Sequence, residues 1–476
     1  MSASRVFEFA HEFPVAVLSS ESRFFYRKDA LNYLQEYPDG TAVRISHRDV
    51  VSVLKAENNI QQQRDIDMFF YNIRRDQALD YDGSMPGYKL GVHELNGHRY
   101  YCSSGPRLIS PFVRGDGVAE FGSAWPVIHE LMQRLFLTPE SGHDQIWTLL
   151  AHLKLSLASL RQCLCEPRNV RPAQACIIVG PVNCGKTFLF EHVIAPVLGG
   201  RVVDAFKAFS ANAEGFNGEL LNGELWKIDD RHGSTRADLR RTFASNIKSY
   251  LFSGNVSFHS KGRTPVTLNP FGRLFILAND EDKDLLVLPD TTPDMADKLH
   301  ILRCNPAESP MPTTTEAERM EYCATVAAEL PHLIADLDEW EIPHHLRHTR
   351  TGVKSYLNPV CYERLEQNKP EIILVELIQG AIAASILRAD EGRVWQGTAL
   401  ELHGAITRQD CPNWRRATHL LSSPRSTGIF LGRIAEHSDY FAERFGLLIR
   451  KGPQKRGFTT YRISTEPEPP TQSDLI

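Results

Sequence analysis

Gly180-Pro181-Val182-Asn183-Cys184-Gly185-Lys186-Thr187 decides how this chain is read. The apolar run Ala175-Cys176-Ile177-Ile178-Val179 precedes it and Phe188-Leu189-Phe190-Glu191-His192-Val193-Ile194 follows it, so a strand enters a glycine-bounded turn that opens a helix. A glycine turn alone binds nothing. In this context the free backbone N–H groups of the turn and of the first helical turn can surround the β-phosphate of a nucleotide. Lys186 would reach the β- and γ-phosphates, and the Thr187 hydroxyl would hold Mg²⁺. All eight residues are therefore candidate ligands of a nucleotide, with ATP expected.

Later stretches narrow what the nucleotide is for. Glu224-Leu225-Trp226-Lys227-Ile228-Asp229-Asp230 is an apolar strand ending in two carboxylates, which at the carboxyl end of a parallel strand would face Mg²⁺ and the attacking water. Asp229 is expected to coordinate the metal through water and Asp230 to polarise the nucleophile. A second strand, Arg273 to Asn279, ends in an amide. Placed between the two nucleotide strands, Asn279 could hydrogen-bond the γ-phosphate or the lytic water.

Between them, a helix with Leu239, Phe243, Ile247 and Leu251 on one face leads into 254–268, where apolar residues alternate on both sides of a basic, glycine-containing tip. That pattern is a β-hairpin. His259, Lys261 and Arg263 at its tip would contact a phosphate backbone, although a solvated basic turn fits the tip equally well.

The 476 residues suffice for about three domains. With 42% hydrophobic and 23% charged residues the composition is that of an ordinary soluble globular protein. A net charge of −5 excludes a general basic coating, so any DNA contact must be local. The nine cysteines form no CxxC pair and have no histidines at zinc-ligand spacing, so they read as reduced intracellular thiols. Residues 1–20 lack the basic start of a signal peptide, and the apolar stretch 372–387 is too short and too polar to span a bilayer. A cytoplasmic protein with no membrane partner is expected.

Residues 1–112 alternate strand-like pieces with polar turns around a helix at about Ser46 to Lys55, which implies a small α+β domain. Asp65-Ile66-Asp67 pairs carboxylates as a two-metal site would, but no histidine and basic constellation accompanies it. It is read as a solvated acidic loop, and no primase activity is expected. Within 113–170, Phe121, Val127, Leu131, Leu135, Ile146, Leu149, Leu150, Leu153 and Leu157 recur at helical spacing. They predict a helical collar, used either for oligomerisation or for packing inside the subunit. Residues 306–388 read as a helical lid or linker, with a helix from about Glu316 to Trp340. From Glu371 three helices are expected, then two strands joined by a Gly452-Pro453 turn. With Arg450, Lys451, Lys455 and Arg456 on those strands, 389–464 has the pattern of a winged helix that binds DNA or docks a protein. Residues 465–476 read as a disordered tail.

Phosphate loop, Asp-Asp strand, helix, basic hairpin and Asn-terminated strand follow in an order that resembles the superfamily 3 helicases of small DNA viruses. The resemblance is closest to the helicase half of phage and poxvirus-type primase-helicases. Phe216-Asn217-Gly218-Glu219-Leu220, Pro270-Phe271-Gly272-Arg273-Leu274, and Leu288-Pro289 leading to Asp297-Lys298-Leu299 support it, and it extends from about residue 90 to the C-terminus. It implies an α/β fold with an AAA+ P-loop core at 171–305, assembled as a homo-hexameric ring with ATP between subunits. The hairpins would project into a central channel and grip single-stranded or forked DNA, moving 3′ to 5′. Replication of a phage or mobile element in a bacterial host, with a primase or origin-binding protein as a further partner, is the setting implied. A ring ATPase that remodels or senses DNA without separating strands, and an ATP-controlled origin-binding protein, share the same motifs. One departure concerns the finger that many members insert into the neighbouring ATP site as arginine. Here the position holds Lys298, with Arg303 nearby, and a lysine makes no bidentate phosphate contact.

Overall fold

Period-two alternation in the first hundred residues builds two small sheets. Strands β1 (Arg23–Arg27), β2 (Asn32–Glu36) and β3 (Ala42–Ile45) form an antiparallel meander, and β4 (Ala78–Leu79) joins β1 in parallel. Adjacent residues on a strand face opposite ways. Phe24 accordingly packs with Tyr33, Val50, Leu54, Ile66, Phe70 and Ile73, while Phe25 packs with Leu34, Leu79 and Tyr101. The computed structural model describes residues 22–465 except 57, 115–119, 140, 166–168, 211–214, 230–236, 282–284, 286–287, 290–292, 368, 388–393 and 456. The expected first helix is His47–Ala56, started by Ser46, whose hydroxyl accepts the Asp49 N–H at 3.2 Å.

Asp65-Ile66-Asp67 is not a loop. It lies in the first turns of the helix Gln63–Asp76, because Ile66, Phe70 and Ile73 recur at spacings of four and three and bury one stripe. Asp65 and Asp67 stay exposed, and no group of three potential metal ligands occurs among the described residues. Strands β5 (Tyr81–Ser84), β6 (Gly91–Leu95) and β7 (His98–Ser104) then form the second sheet in the order β5-β7-β6.

A fully parallel sheet dominates the middle of the chain. Its strands lie among β8 (Ala175–Gly180), β9 (Val202–Asp204), β10 (Leu225–Asp229), the hairpin β11 (Val256–Phe258) and β12 (Val266–Leu268), β13 (Arg273–Asn279), β14 (Leu299–Arg303), the short pair β15 (Arg347–His348) and β16 (Gly352–Val353), and β17 (Tyr356–Leu357). The six-stranded order is β17-β14-β8-β13-β10-β9. Every residue of β8 is buried, as a parallel strand covered on both faces requires. Ala175, Ile177 and Val179 enter one core, and Cys176 and Ile178 the other.

The second core absorbs the collar residues. Leu131 and Leu135 of the helix Pro126–Phe136, and Ile146, Leu149, Leu150, Leu153 and Leu157 of the helix Asp144–Cys163, pack against Leu189, Phe190, Leu333 and Leu337. Of the two readings of that stripe, packing within the subunit is the one these residues satisfy. The helix Glu316–Glu339 closes this layer. Its Glu329 carboxylate accepts the Val127 and Ile128 N–H groups at 3.0 and 2.8 Å, supplying acceptors that the start of Pro126–Phe136 lacks.

The C-terminal part differs from its expected pattern in three ways, the first being that five helices form among the described residues in place of three. After the helix Pro370–Ala383, a strand β18 (Val394–Thr398) intervenes before the helices Ala399–Ile406, Trp414–Leu420, Pro424–Glu436 and Ser438–Phe445. It pairs with β20 (Phe458–Ser464), which also pairs with β19 (Leu448–Lys455), giving the antiparallel order β18-β20-β19. Gly452-Pro453 is not the turn but lies inside β19, where the register shifts between Lys451 and Gln454. Proline has no N–H for the ladder and is tolerated on an edge strand at such a bulge. The chain reverses beyond Lys455, with Gly457 at φ 82°. Among the described residues no helix is long and apolar enough to cross a membrane. Residues 466–476 of the tail lie outside the described residues.

Candidate functional site

The phosphate loop is shaped by glycines for two different reasons. At Gly180 an added Cβ would lie 2.6 Å from Cys304 Cβ, so the close approach of the chain leaving β14 excludes any side chain. At Gly185 the backbone has φ 103°, and Asn183 has φ 61°, left-handed values that glycine adopts freely and asparagine tolerates. The turn delivers Lys186 into the helix Lys186–Leu189, which continues through a π turn, Phe190–Ile194, into Ala195–Val197. Lys186 is buried and its Nζ donates to Gly180 O at 2.8 Å, Pro181 O at 2.7 Å and Asn279 Oδ1 at 3.3 Å. Val182, Asn183 and Thr187 are exposed.

Asn279 lies on the strand between β8 and β10. It ends β13, which separates β8 from β10, and it is register-paired with Gly180. Asp229 ends β10, two strand spacings or about 10 Å from β8. Lys227 shares a face with Asp229, and its Nζ lies 2.6 Å from Asp229 Oδ2, 3.2 Å from Glu191 Oε1 and 5.2 Å from the centre of the Phe190 ring. Burial opposes the charge on Lys227, but the two carboxylates outweigh it and raise its pKa. Glu191 is one helical turn beyond Thr187, so Lys227 joins the acidic strand to the phosphate-loop helix. The Thr187 hydroxyl and Asp229 carboxylate are hard oxygen donors of the kind Mg²⁺ takes while keeping several waters, and they fit it by donor type. The Lys227 ammonium is a competing cation at the same carboxylate. Asp230 lies outside the described residues.

Arg303 and Lys298 occupy opposite ends of the sheet. Arg303 ends β14 beside the loop, with Nη2 3.8 Å from Asp280 Oδ2, and Arg364 Nη1 donates to Asp280 O at 2.5 Å. Lys298 precedes β14; its carbonyl accepts the Ala175 N–H at 2.9 Å, at the start of β8. The length of β8, about 17 Å at ~3.3 Å per residue, therefore separates it from its own loop. Its Nζ is held by Asp297 Oδ1 at 2.6 Å and Asp294 O at 2.5 Å.

Two contributors escaped the sequence reading. Fully buried Gln145 accepts the Arg303 N–H at 2.6 Å and returns its own Nε2 to Arg303 O at 3.3 Å and Phe136 O at 2.9 Å, which fixes the end of β14. Arg364 comes from the helix Pro359–Gln367. Neither belongs to a local pattern, and one polar residue among the several on its helix gives no signal.

The basic hairpin forms as expected, with His259, Lys261 and Arg263 exposed on the 259–265 connection. Asn217 pins its base: Oδ1 accepts the His259 N–H at 2.7 Å and Nδ2 donates to Ser257 O at 3.0 Å. A Cβ on Gly218 would come within 2.0 Å of Ser260 Oγ, so the Phe216–Leu220 segment and the hairpin base interlock. The hairpin is also backed by the N-terminal part of the chain. Val256, Phe258, Val266 and Leu268 share a core with Tyr81, Met85, Tyr88, Tyr100 and Cys102, and Arg263 Nη1 lies 4.0 Å from Asp29 Oδ2. On the C-terminal strands, Lys451 pairs with Glu436 at 3.1 Å and Lys455 with Glu401 at 3.8 Å, Arg450 is exposed, and Arg456 lies outside the described residues. Such surface pairs are weak and leave those lysines exchangeable.

Residues 178–292 match a family described as a family of unknown function, DUF5906. No curated protein matches the chain. Among solved structures, an apo form of the NrS-1 C-terminal region is similar at 11% identity, covering 93% of this chain and 96% of that one, with a TM-score of 0.49. The JCV helicase is similar at 14% identity over 55% of this chain and 72% of that one, with a TM-score of 0.24. SCCmec type IV Cch, described as an active helicase, is similar at 12% identity over 89% of this chain and 72% of that one, with a TM-score of 0.26.

Proposed function

We propose that this chain is an ATP-hydrolysing motor of the superfamily 3 helicase type, acting on single-stranded or forked DNA. The observation that carries the proposal is the contact of Lys186 with both the 180–187 loop and Asn279, which puts a cation, a glycine-bounded turn and an amide at one end of a parallel sheet. In that arrangement the loop N–H groups and Lys186 bind the β- and γ-phosphates, Asn279 orients the γ-phosphate or the attacking water, and Asp230 draws the proton from that water. Mg²⁺, held by Thr187 and through water by Asp229, would offset the charge that develops between the β- and γ-phosphates. With Mg²⁺ bound, Glu191 would remain to Lys227 as its carboxylate partner.

The DNA side of the proposal rests on the exposed hairpin tip with His259, Lys261 and Arg263, and on the 389–464 unit as a winged helix that presents Arg450, Lys451, Lys455 and Arg456. Assembly into a ring, 3′ to 5′ movement, and a role in replicating a phage or mobile element in the cytoplasm of a bacterial host belong to the same proposal. Displacement of a labelled strand from a forked duplex, measured beside DNA-stimulated ATP turnover on one preparation, tests it. Absence of both activities overturns it. The packing of the hairpin against β5 and β7 favours a second reading, a DNA-sensing or remodelling ATPase, since a hairpin bolted at its base has less freedom to travel. Stimulated turnover without strand displacement would select that reading.

A further inference from the structure

A phosphate cradle needs backbone N–H groups, a lysine and a hydroxyl, and has no use for a thiol. Cys184 nevertheless sits in the loop at 5% exposure, and it meets Cys304, at 0%, directly over Gly180. A Cβ on Gly180 would lie 3.2 Å from Cys184 Sγ and 2.6 Å from Cys304 Cβ, so the two cysteine side chains converge on one point. Lys186 Nζ is 3.8 Å from Cys184 Sγ.

The two sulfurs differ in mobility and in chemistry. Cys304 is anchored: its N–H donates to Val179 O at 2.7 Å, and Gln145 grips the preceding residue. Cys184 lies in the turn between Asn183 and Gly185, the two residues with left-handed backbone. The Cys304 thiol beside it, with help from the Lys186 charge, outweighs burial and brings the Cys184 thiol down to about 6, whereas burial pushes Cys304 well above its usual value. Cys184 is thus the nucleophile and Cys304 the thiol that resolves it.

We propose that Cys184 and Cys304 form a peroxide-sensitive redox pair, whose disulfide converts the phosphate loop to a form that binds nucleotide poorly. The functional half rests on the nucleotide site proposed above. The oxidant is hydrogen peroxide, small enough for a sulfur with this little exposure. The Cys184 thiolate attacks one peroxide oxygen and the O–O bond breaks, giving a sulfenic acid and hydroxide, which takes the proton that Cys184 gave up and leaves as water. The Cys304 sulfur then attacks the Cys184 sulfur, its proton leaves with the sulfenic hydroxyl as a second water, and the S–S bond forms. In total two thiols lose two electrons and one peroxide becomes two waters.

Bonded sulfurs lie about 2.05 Å apart, well inside the contact distance of two unbonded sulfurs, so one side must move. With Cys304 anchored, the displacement falls on Asn183–Gly185 and on Lys186 beside them. Ångström-scale misplacement of a positioned group costs on the order of a hundredfold in rate.

The test uses the full chain in reduced and peroxide-treated forms. Non-reducing digestion and mass spectrometry read the Cys184–Cys304 peptide pair, and equilibrium binding reads a fluorescent ATP analogue on the same samples. Expected are the cross-linked peptide, at least about a tenfold loss of binding, and recovery of both by dithiothreitol. Cys304→Ser should bind nucleotide like the reduced wild type and lose the dithiothreitol-reversible response. If Cys304→Ser does not fold, peptide mapping and reversal on wild type decide alone. Reduced protein that binds nucleotide but yields no cross-link after peroxide overturns the redox pair, and so does a cross-link that leaves binding unchanged. Reduced protein that fails to bind nucleotide overturns the proposed nucleotide site instead, and the peptide map still decides whether the pair oxidises.

Discussion

Lys186 Nζ lies 3.3 Å from Asn279 Oδ1 and 2.8 Å from Gly180 O, so a single amine ties the phosphate loop to the strand inserted between β8 and β10. The two residues should fail differently when changed. Lys186→Ala removes a charged donor and should weaken ATP binding by about ten- to a hundredfold. Asn279→Ala should leave binding within about threefold and slow hydrolysis by on the order of a hundredfold, because an orienting donor acts mainly in the transition state. Titration of an ATP analogue and single-turnover hydrolysis separate the two outcomes. Equal loss of binding in both variants would show that Asn279 has no role beyond supporting the lysine.

Glu224 is fully buried at the start of β10 and joins the N-terminal sheet to the parallel sheet. Its carboxylate accepts Arg201 Nε at 2.7 Å and the Gly87 N–H at 2.9 Å, while Arg201 also reaches Ser84 Oγ at 2.8 Å and Ser104 O at 2.9 Å. Glu224→Ala strands a poorly solvated guanidinium and a buried N–H, and should lower stability by about 3–5 kcal/mol. Urea denaturation of the two proteins measures this. A loss below about 1 kcal/mol would mean that solvent reaches the pair far more than its burial indicates.

His152 and His300 face each other edge to face at 5.3 Å inside the core, and the Nε2 atoms of both lack a hydrogen-bond partner among the described residues. Burial holds His300 at about 3, and burial, reinforced by His300 and Arg273, holds His152 well below the usual 6.5. Because the folded pKa values are depressed, the unfolded chain takes up protons first as pH falls. Their contribution is therefore intact above pH 6.5 and is lost as pH falls below it toward the folded values. Stability should drop by about 1.4 kcal/mol per pH unit per histidine in that window. His300→Gln, which takes up no proton, should halve the slope of urea midpoint against pH. An unchanged slope would assign the acid sensitivity to carboxylates.

Local spacing made the site legible and hid what supports it. Gly180, Gly185, Lys186 and Thr187 define the loop within eight residues, and Asn279 declared itself by ending an apolar strand. Gln145, Arg364 and the Glu224–Arg201 pair act across long stretches of sequence, where no periodicity connects the partners. The helix Gln63–Asp76 was obscured because eight of its fourteen residues are polar or charged and its apolar stripe is only a few residues wide. Gly452-Pro453 suggested a turn by composition, yet the edge position of β19 accommodates the missing N–H. The hairpin was recognisable from its alternation, whereas the N-terminal sheet behind it was not, since Tyr81, Tyr88 and Tyr100 meet it only through the tertiary fold.

That sheet sets opposite expectations for two hairpin variants. Lys261 is exposed at the tip, and losing one phosphate contact through Lys261→Ala should weaken binding to single-stranded DNA and reduce the salt slope of log K by about 0.7. Asp29→Asn instead removes the carboxylate 4.0 Å from Arg263, so binding should tighten a few-fold at low salt, by about the worth of one surface ion pair. Fluorescence anisotropy over a salt series measures both. If neither variant shifts affinity, the tip is a solvated turn, and the DNA contact has to be sought on the C-terminal strands.

The positions of Lys298 and Arg303 turn the question of a finger into a mixing experiment. Arg303 ends β14 next to the loop of its own subunit, and its Nε is buried without a hydrogen-bond partner among the described residues. Lys298 stands about a strand length away and cannot serve that loop. If Lys298 acts at all in hydrolysis, it acts on a neighbour, so Lys298→Ala and Lys186→Ala damage two halves of one composite site. Mixed assemblies should then regain ATP turnover at those interfaces where a loop from a Lys298→Ala subunit meets a finger from a Lys186→Ala subunit, although each variant alone is inactive. Arg303→Ala mixed with Lys186→Ala should regain nothing, because both lesions lie in the subunit that supplies the loop. Recovery in the second mixture and none in the first would exchange the two assignments and make Arg303 the residue that crosses the interface. Full turnover by Lys298→Ala alone would exclude it as a finger. Turnover that stays constant per subunit down to dilutions where only monomer is detected would remove the shared site altogether.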